Sequence, residues 1–459
     1  MLWFTTAAQD FDLQTLSSTD IIGTARYIGL AGAMTAVGGD ESAVKDNPAA
    51  LGIFRRSVAS ASLLCQNERT LSSEENCNKT IARMPHAALV WSFGYDNRYR
   101  GMIYNNIMIG YQRIKSFSER SVYSSVSTTS MAQQVADITN LNPYKGSITS
   151  QMLNGMIYDD ENIGWLTALF VKEGIITDNM GTWTAADGYQ DHSVIEIVES
   201  GGVNAYGFTW ATNISNKVYI GVGANLMSLT YGKSTIYYEH LKNLYGDDLA
   251  YTLESTLSVN GLGFMGNIGV IYWPLSFLRI GASWISPSIY SMTFINHAKT
   301  RWNENPVNSY NFSNYITPMR STAGIAFRLG NHGLITGEYD YSHQFRNTIA
   351  DTHTIKAGLE FVGWNKLFVR LGYAYEFCWQ RGTLMPQYYE TRTDTDFRRN
   401  RRSHYATASV GYRGRYMYVE AAYRFRLTNA DLLAYASQSE AYRVDNRNHA
   451  VVLSLGWHN

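Results

Sequence analysis

Strict alternation of apolar and polar residues recurs along this chain, and no other feature limits its fold so tightly. In Val218-Tyr219-Ile220-Gly221-Val222-Gly223-Ala224-Asn225-Leu226 every even position is apolar, while the odd ones mix Gly, Tyr and Asn. The runs 355–361, 367–376 and 417–425 repeat the pattern, with Lys356, Glu360, Arg370, Glu376, Glu420 and Arg424 on the second face. A period of two marks a strand whose two faces meet different media. A soluble sandwich buries the apolar face in a core. A membrane barrel turns that face to lipid and fills its lumen with the other.

The connections decide between the two. Strands are expected at 56–66, 85–95, 101–115, 193–213, 216–232, 253–273, 277–297, 315–329, 332–346, 352–363, 366–382, 402–413, 415–428 and 447–459, fourteen in all. Short turns such as Ile214–Ser215, Gly330–Asn331 and Gly414 alternate with long loops at 67–84, 116–192, 233–252, 298–314, 383–401 and 429–446; only 347–351 is a shorter exception. Short turns on one rim and long loops on the other are the layout of an outer-membrane barrel, and a sandwich has no reason to sort them so. The expected fold is therefore all-β, a fourteen-stranded antiparallel transmembrane barrel.

Composition agrees. Charged residues are 17% of the chain and aromatics 14%, with 33 Tyr and 11 Trp, and Tyr339, Tyr341, Tyr373, Tyr375, Tyr412, Tyr423, Phe425 and Trp457 share the lipid-facing parity near strand ends. Amphipathic rings there span the boundary between water and hydrocarbon. Lys and Arg total 38 against 38 Asp and Glu, so no basic face for nucleic acid is implied. No apolar run reaches the eighteen residues of a helical span. Cys65 and Cys77 are spaced to close one small loop in an oxidising compartment, with three separate thiols the alternative; Cys378 is left over in either case.

Met1–Ala8 reads as the remnant of a secretory signal, with Gln9 as the mature start. Residues 9–54 differ in texture from the barrel at 55–459. Gly29, Gly32, Gly38 and Gly39 lie among small and apolar residues, and Ile21, Ile22, Ile28 and Leu30 would be exposed on a free tail. A compact hatch inside the barrel accounts for them.

The segment Asp46-Asn47-Pro48-Ala49-Ala50-Leu51-Gly52, following Gly38-Gly39-Asp40, resembles the Asn-Pro-Ala box of the FadL/TodX outer-membrane transport family. The stretch 213–221 looks like the turn and strand of that family's relatives in Bacteroidetes-type bacteria. The resemblance implies a barrel plugged by an N-terminal hatch, with Asn47, Pro48 and Ala49 anchoring hatch to wall. It further implies transport of hydrophobic small molecules. One departure is Asn459 in the final slot, where such barrels carry an aromatic; Trp457 keeps the parity.

No catalytic constellation emerges, and neither a metal site nor a cofactor is expected. Gly232-Lys233-Ser234 lacks the earlier glycine of a phosphate cradle, and no HExxH or paired-Cys spacing occurs. His86, His343, His353 and His404 fall near the loop-side rim, where rim hydrogen bonding is the ordinary role and haem ligation the alternative. On lumen parity Glu338, Asp340, Glu360, Glu376 and Glu420 face Lys356, Arg370, Arg413, Arg424 and Arg426. Five acids against five bases brace a filled lumen rather than an ion-selective pore.

Three further readings concern function. Ser130–Ile138 carries Met131, Val135 and Ile138 on one helical face, and Trp165, Leu166, Leu169 and Phe170 make the long loop greasy. The loop is either a lid packed on itself or a surface for apolar cargo or a partner. Asn105 interrupts the lipid face of Ile103, Ile107, Ile109 and Tyr111, close to Gly110, and marks a candidate gap in the wall. The leading expectation is a channel in the bacterial outer membrane, in contact with lipid and lipopolysaccharide. It would admit hydrophobic small molecules by movement of the hatch piece Gly29–Asp40 and lateral opening of the wall. The alternative is a structural subunit of an outer-membrane assembly or secretion complex, bound to other outer-membrane proteins or lipoproteins. A haem receptor is a third.

Overall fold

The computed structural model describes residues 15–459 except 17, 72–76, 96–100, 126–128, 186–188, 243–248, 331, 346–350, 364–365, 379–392, 394–396, 436–437 and 439. The signal remnant and the first hatch residues lie outside the described residues.

Seventeen strand segments join into one closed antiparallel sheet of fourteen staves, three of which are broken in two. They are β1 (Val58–Leu71), β2 (Cys77–Gly94), β3 (Met102–Phe117 and Arg120–Ser125), β4 (Tyr189–Ile214), β5 (Val218–Lys242), β6 (Leu249–Leu275) and β7 (Leu278–Ile285 and Ile289–Lys299). The second half comprises β8 (Asn308–Ile316 and Met319–Leu329), β9 (Gly333–His343), β10 (Thr352–Val362), β11 (Leu367–Cys378), β12 (Phe397–Arg413), β13 (Met417–Leu433) and β14 (Tyr442–His458). Each pairs with its neighbours, and β1 closes the ring on β14 from Val58↔His458 to Leu71↔Asp445.

The alternation places its faces as an outer-membrane barrel requires. Val222, Leu359, Leu371, Leu453 and Leu455 are exposed on the outer wall, whereas Glu338, Lys356, Arg370 and Arg424 are buried inside. Among the described residues no helix is long and apolar enough to cross a membrane; the strands do the crossing. Short turns close one rim. Between β4 and β5, Ser215 and Asn216 both take positive φ, and the Asn213 side chain exchanges hydrogen bonds with Asn216. A turn with two successive left-handed residues matches strand twist and favours Asn.

Strands on the other rim run longer than the sequence pattern indicated. β4, β5 and β6 have 26, 25 and 27 residues, well beyond the 9–11 needed to cross a bilayer. Past the membrane the outer face meets water, so alternation fades although the ladder continues. Above it, α2 (Met131–Leu141), α3 (Ile148–Leu153), α4 (Trp165–Glu173) and a small ribbon (Ile176–Asn179 with Thr182–Ala185) form a cap. Ser130 caps α2 by accepting from the Gln133 amide, and Gly174 ends α4 at φ 77°. Its core joins Val135, Phe170, Trp183 and Ile195 to Leu253, Leu432 and Val444.

The breaks in β7 and β8 fall side by side at Pro287 and Pro318, which cannot donate to a ladder. Thr317 and Ser288 bridge them instead. Cys65 points outward and Cys77 inward from the wall, and no disulfide is formed.

Candidate functional site

The hatch is a short helix, α1 (Ala25–Gly29), followed by turns and two 3₁₀ segments, Ser42–Lys45 and Pro48–Ile53. Thr24 begins α1 by accepting from the Tyr27 amide, and its hydroxyl donates to Asp40. Asn47, Pro48 and Ala49 are buried where the last segment meets the wall. The Asn47 side chain accepts from the Ala49 amide at 3.0 Å and donates to Thr35 O at 2.8 Å and to Val270 O at 3.3 Å. Pro48 lies so close to Gly221 that a Cβ there would fall 2.3 Å from the proline carbonyl carbon.

Gly29, Gly32, Gly38 and Gly39 have packing and turn roles. Gly32, Gly38 and Gly39 hold positive φ, and a Cβ on Gly29 would lie 2.0 Å from Ser409 Oγ. Residues 20–38 are almost wholly buried against the wall. The expectation of a loose glycine piece thus meets tightly seated glycines, chosen for close approach.

Every member of the expected lumen set lies on the inner wall, and most are paired. Lys356 bridges Glu338 at 2.8 Å and Asp340 at 2.5 Å. Arg370 joins Glu360 at 2.6 Å to Glu420 at 3.1 Å, and Arg413 stands 3.7 Å from Glu420. Glu376 holds Arg401. Arg424 donates to Ile21 O and to Asn448, while Arg426 links Asp20 to Glu68. The sequence reading missed the hatch's own share: Arg26 on Glu360, Asp46 on Arg320, and Glu338 accepting from the Thr35 amide. A period-two count cannot pair groups inside a segment without periodicity. Burial pushes the Asp20 carboxyl up, but Lys115, Arg426 and Arg424 together outweigh it and hold it well below its ordinary range.

Above the hatch lies a cavity of about 230 Å³ with two unlike walls. Ile114, Phe117, Met227, Tyr231, Met265 and Tyr290 form an apolar side, and Asp20, Arg320, Asp340, Lys356, Glu376 and Arg426 a charged one.

The apolar side leads to a fault in the wall. β2 and β3 pair from Gly94↔Tyr104 only as far as His86↔Gln112, although both strands continue. Pro85 follows the last pair and removes a donor. On β3, residues 115–119 are all buried, which ends the in-and-out alternation. There the strand bends into the lumen behind β2, where Ser118 meets Gln66 and Glu68 of β1. Arg83 spans the split with its guanidinium, donating to Ser116 Oγ and to Gly201 O. At the foot of the split an apolar groove opens on the lipid face, lined by small residues including Ala61, Ala87 and Gly110 and edged by Tyr111 and Phe208.

Asn105 is elsewhere. It sits in an unbroken ladder between Phe93 and Thr212, and its amide donates to Tyr95 OH at 3.1 Å. A rim tyrosine takes the N–H of this lipid-facing amide while its Oδ1 is left without a partner, and the ladder around it shows no gap. Leu169 and Phe170 are buried in the cap core, Leu166 packs against it, and Trp165 stacks edge-on with Tyr158. The greasy loop is a self-packed lid. His86 is buried inside the wall beside Ser60, whereas His343, His353 and His404 lie on the outer face. His353 and His404 hydrogen-bond Tyr339 and Tyr373. The four do not converge, and the described residues contain no cluster of three metal-ligating side chains.

No protein-family model matches the sequence, and no curated protein does. Solved structures do match. The CymD monoaromatic hydrocarbon channel superposes with a TM-score of 0.52 at 12% identity, over 97% of this chain and 98% of its own. The P. putida toluene transporter TodX gives 0.55 at 11%, over 97% and 99%. A Pseudomonas aeruginosa FadL homologue gives 0.57 at 9%, over 96% and 99%. At such identities the likeness is one of fold, and it runs the full length of both chains.

Proposed function

We propose that this barrel, which shares its fold with hydrocarbon channels of the FadL and TodX type, admits hydrophobic small molecules to the outer membrane through the split between β2 and β3. One observation supports the reading: the split lies between the apolar side of the lumen cavity and an apolar groove on the lipid face, with the Arg83 guanidinium across it. A solute leaving sideways there passes from one apolar surface to another and avoids periplasmic water. The hatch takes part through its upper arm. Asp20 donates its amide to Ile114 O and its carboxylate holds Lys115 at 3.1 Å, both on the inbent stretch of β3. Withdrawal of Ser18–Asp20 would release that stretch and widen the split. The piece Gly29–Asp40 stays seated in this scheme, and the opening lies at Pro85 and Arg113 rather than at Asn105.

Met84→Cys on the outer face and Ile114→Cys on the lumen side, in a background free of Cys65, Cys77 and Cys378, test the route when the two thiols are tied across the split by a reducible bis-methanethiosulfonate linker. Uptake of radiolabelled toluene by cells should fall several-fold on cross-linking and return on reduction, while Asn105→Ile leaves it unchanged. Unaltered uptake with the cross-link formed removes the lateral route.

A second reading is favoured by the cap, where Leu141 and Leu153 are each 77% exposed near Tyr144 and Met156. A structural subunit would use such a face against another outer-membrane protein. Purification from native membranes separates the two, since that role requires a stable large complex and transport requires only the single barrel.

A further inference from the structure

On the outer face of β1 and β14, above the hydrophobic belt, two arginines stand directly opposite each other. Arg69 and Arg447 are cross-strand partners, and both are exposed. Like charges directly opposite in a ladder repel. Among the described residues neither has a carboxylate partner or a hydrogen bond. Among the described residues, the acids on this face are engaged elsewhere: Asp445 takes the Asn429 amide, and Asp431 lies cross-strand from Arg443. Beside the pair are neutral hydrogen-bonding groups, Asn78 opposite Arg69 and Asn67 donating to Thr80.

Depth shows what anion would meet them. Trp457 marks the lower edge of the belt on β14, and His449, bonded to Tyr423 at 2.7 Å, marks the upper edge. The same Tyr-to-His pairing recurs at Tyr339–His353 and Tyr373–His404, forming a polar aromatic girdle along the outer wall. At about 3.3 Å per residue and a 40° tilt, the girdle stands roughly 20 Å above Trp457 and Arg447 about 5 Å higher. That is the level of the headgroup phosphates. The rim is the long-loop rim, so the leaflet is the outer one.

We propose that Arg69 and Arg447 form a binding site for a phosphate of lipid A on the outer wall. Two guanidinium forks can grip one phosphate from both strands, and the neighbouring amides and hydroxyl suit the sugar that carries it. The phosphate removes the repulsion between the arginines and orients the barrel in its leaflet. The site depends on the outer-leaflet placement of the long-loop rim and not on any transport activity.

The full chain in dodecyl maltoside, titrated with bis-phosphorylated lipid A, with dephosphorylated lipid A and with phosphatidylglycerol, tests the site by native mass spectrometry. Lipid A should remain bound, and the other two should be retained at least tenfold less. Arg69→Gln with Arg447→Gln should lower lipid A retention about tenfold. Arg443→Gln, across from Asp431, should leave it unchanged. Folding of each variant is checked by its heat-dependent gel shift. Equal retention of the dephosphorylated lipid or of phosphatidylglycerol by the unaltered protein overturns the proposal without recourse to variants. So does full retention by a folded double variant.

Discussion

Glu41 shows how the hatch carries its own pH dependence. It is buried at 3% exposure, with the Tyr418 hydroxyl donating to it at 3.3 Å. Burial first, and Asp40 beside it second, push its carboxyl up from 4.5 to about 7. Between those values the seated hatch keeps a proton that the released chain has lost, so stability falls as pH rises. Lys45 behaves in the opposite way. Burial pushes it down from 10.5 to about 8, so from pH 8 upward the released chain holds the extra proton and stability climbs. From these two groups the hatch should be least firmly seated between about pH 7 and 8. Hydrogen exchange of hatch amides, corrected for intrinsic rates, should show lower protection there than at pH 5. Glu41→Gln should flatten the acid side. Arg370 poses a different case, since it is fully buried between Glu360 and Glu420. Arg370→Ala should destabilise the barrel by about 3–5 kcal/mol by taking from each of two buried carboxylates one of its two arginines, leaving Glu360 to Arg26 and Glu420 to the more distant Arg413, as read from urea unfolding in lipid vesicles.

At the scale of elements, the wall separates two classes of position. Val222→Arg, Leu359→Arg or Leu371→Arg, each near mid-wall, should cost about 2–4 kcal/mol of stability in a bilayer. Thr354→Lys, which faces the cavity, should be milder. Equal costs in the same unfolding assay would show that the inner and outer faces are misassigned. The strands themselves were legible because one face of each meets lipid, which forces a period of two. Their upper ends were not, since outside the bilayer a ladder needs only backbone partners. The split at Pro85 was hidden for a related reason. Residues 115–119, Lys-Ser-Phe-Ser-Glu, still read as a mixed strand, and their burial on both faces comes from bending behind β2. Pro85, the first residue of the expected strand 85–95, was the available signal, and it was weak because proline is tolerated at that position. Asn105 drew attention instead because its tyrosine partner lies ten positions away, at the start of a turn.

For the whole molecule, a hatch bonded to the wall and a lumen crossed by ion pairs of both signs should conduct poorly. In planar bilayers the intact chain should show small single-channel steps with no preference for cations or anions. Gly221→Ala, whose Cβ would collide with Pro48, should loosen the hatch and enlarge those steps. The cap adds something that the membrane does not impose. Its single core takes Tyr123 and Phe170 from the first half of the chain, Leu432 and Val444 from the last two strands, and Tyr435 from the connection between them. Those strands are the ones that seal the ring. The cap core therefore stays incomplete until the final hairpin is laid, which makes its burial a late event in assembly and a lock on the seam once made. A barrel stalled before closure would show an open cap, and proteases added from outside would cleave near Phe170 before the seam forms and not after.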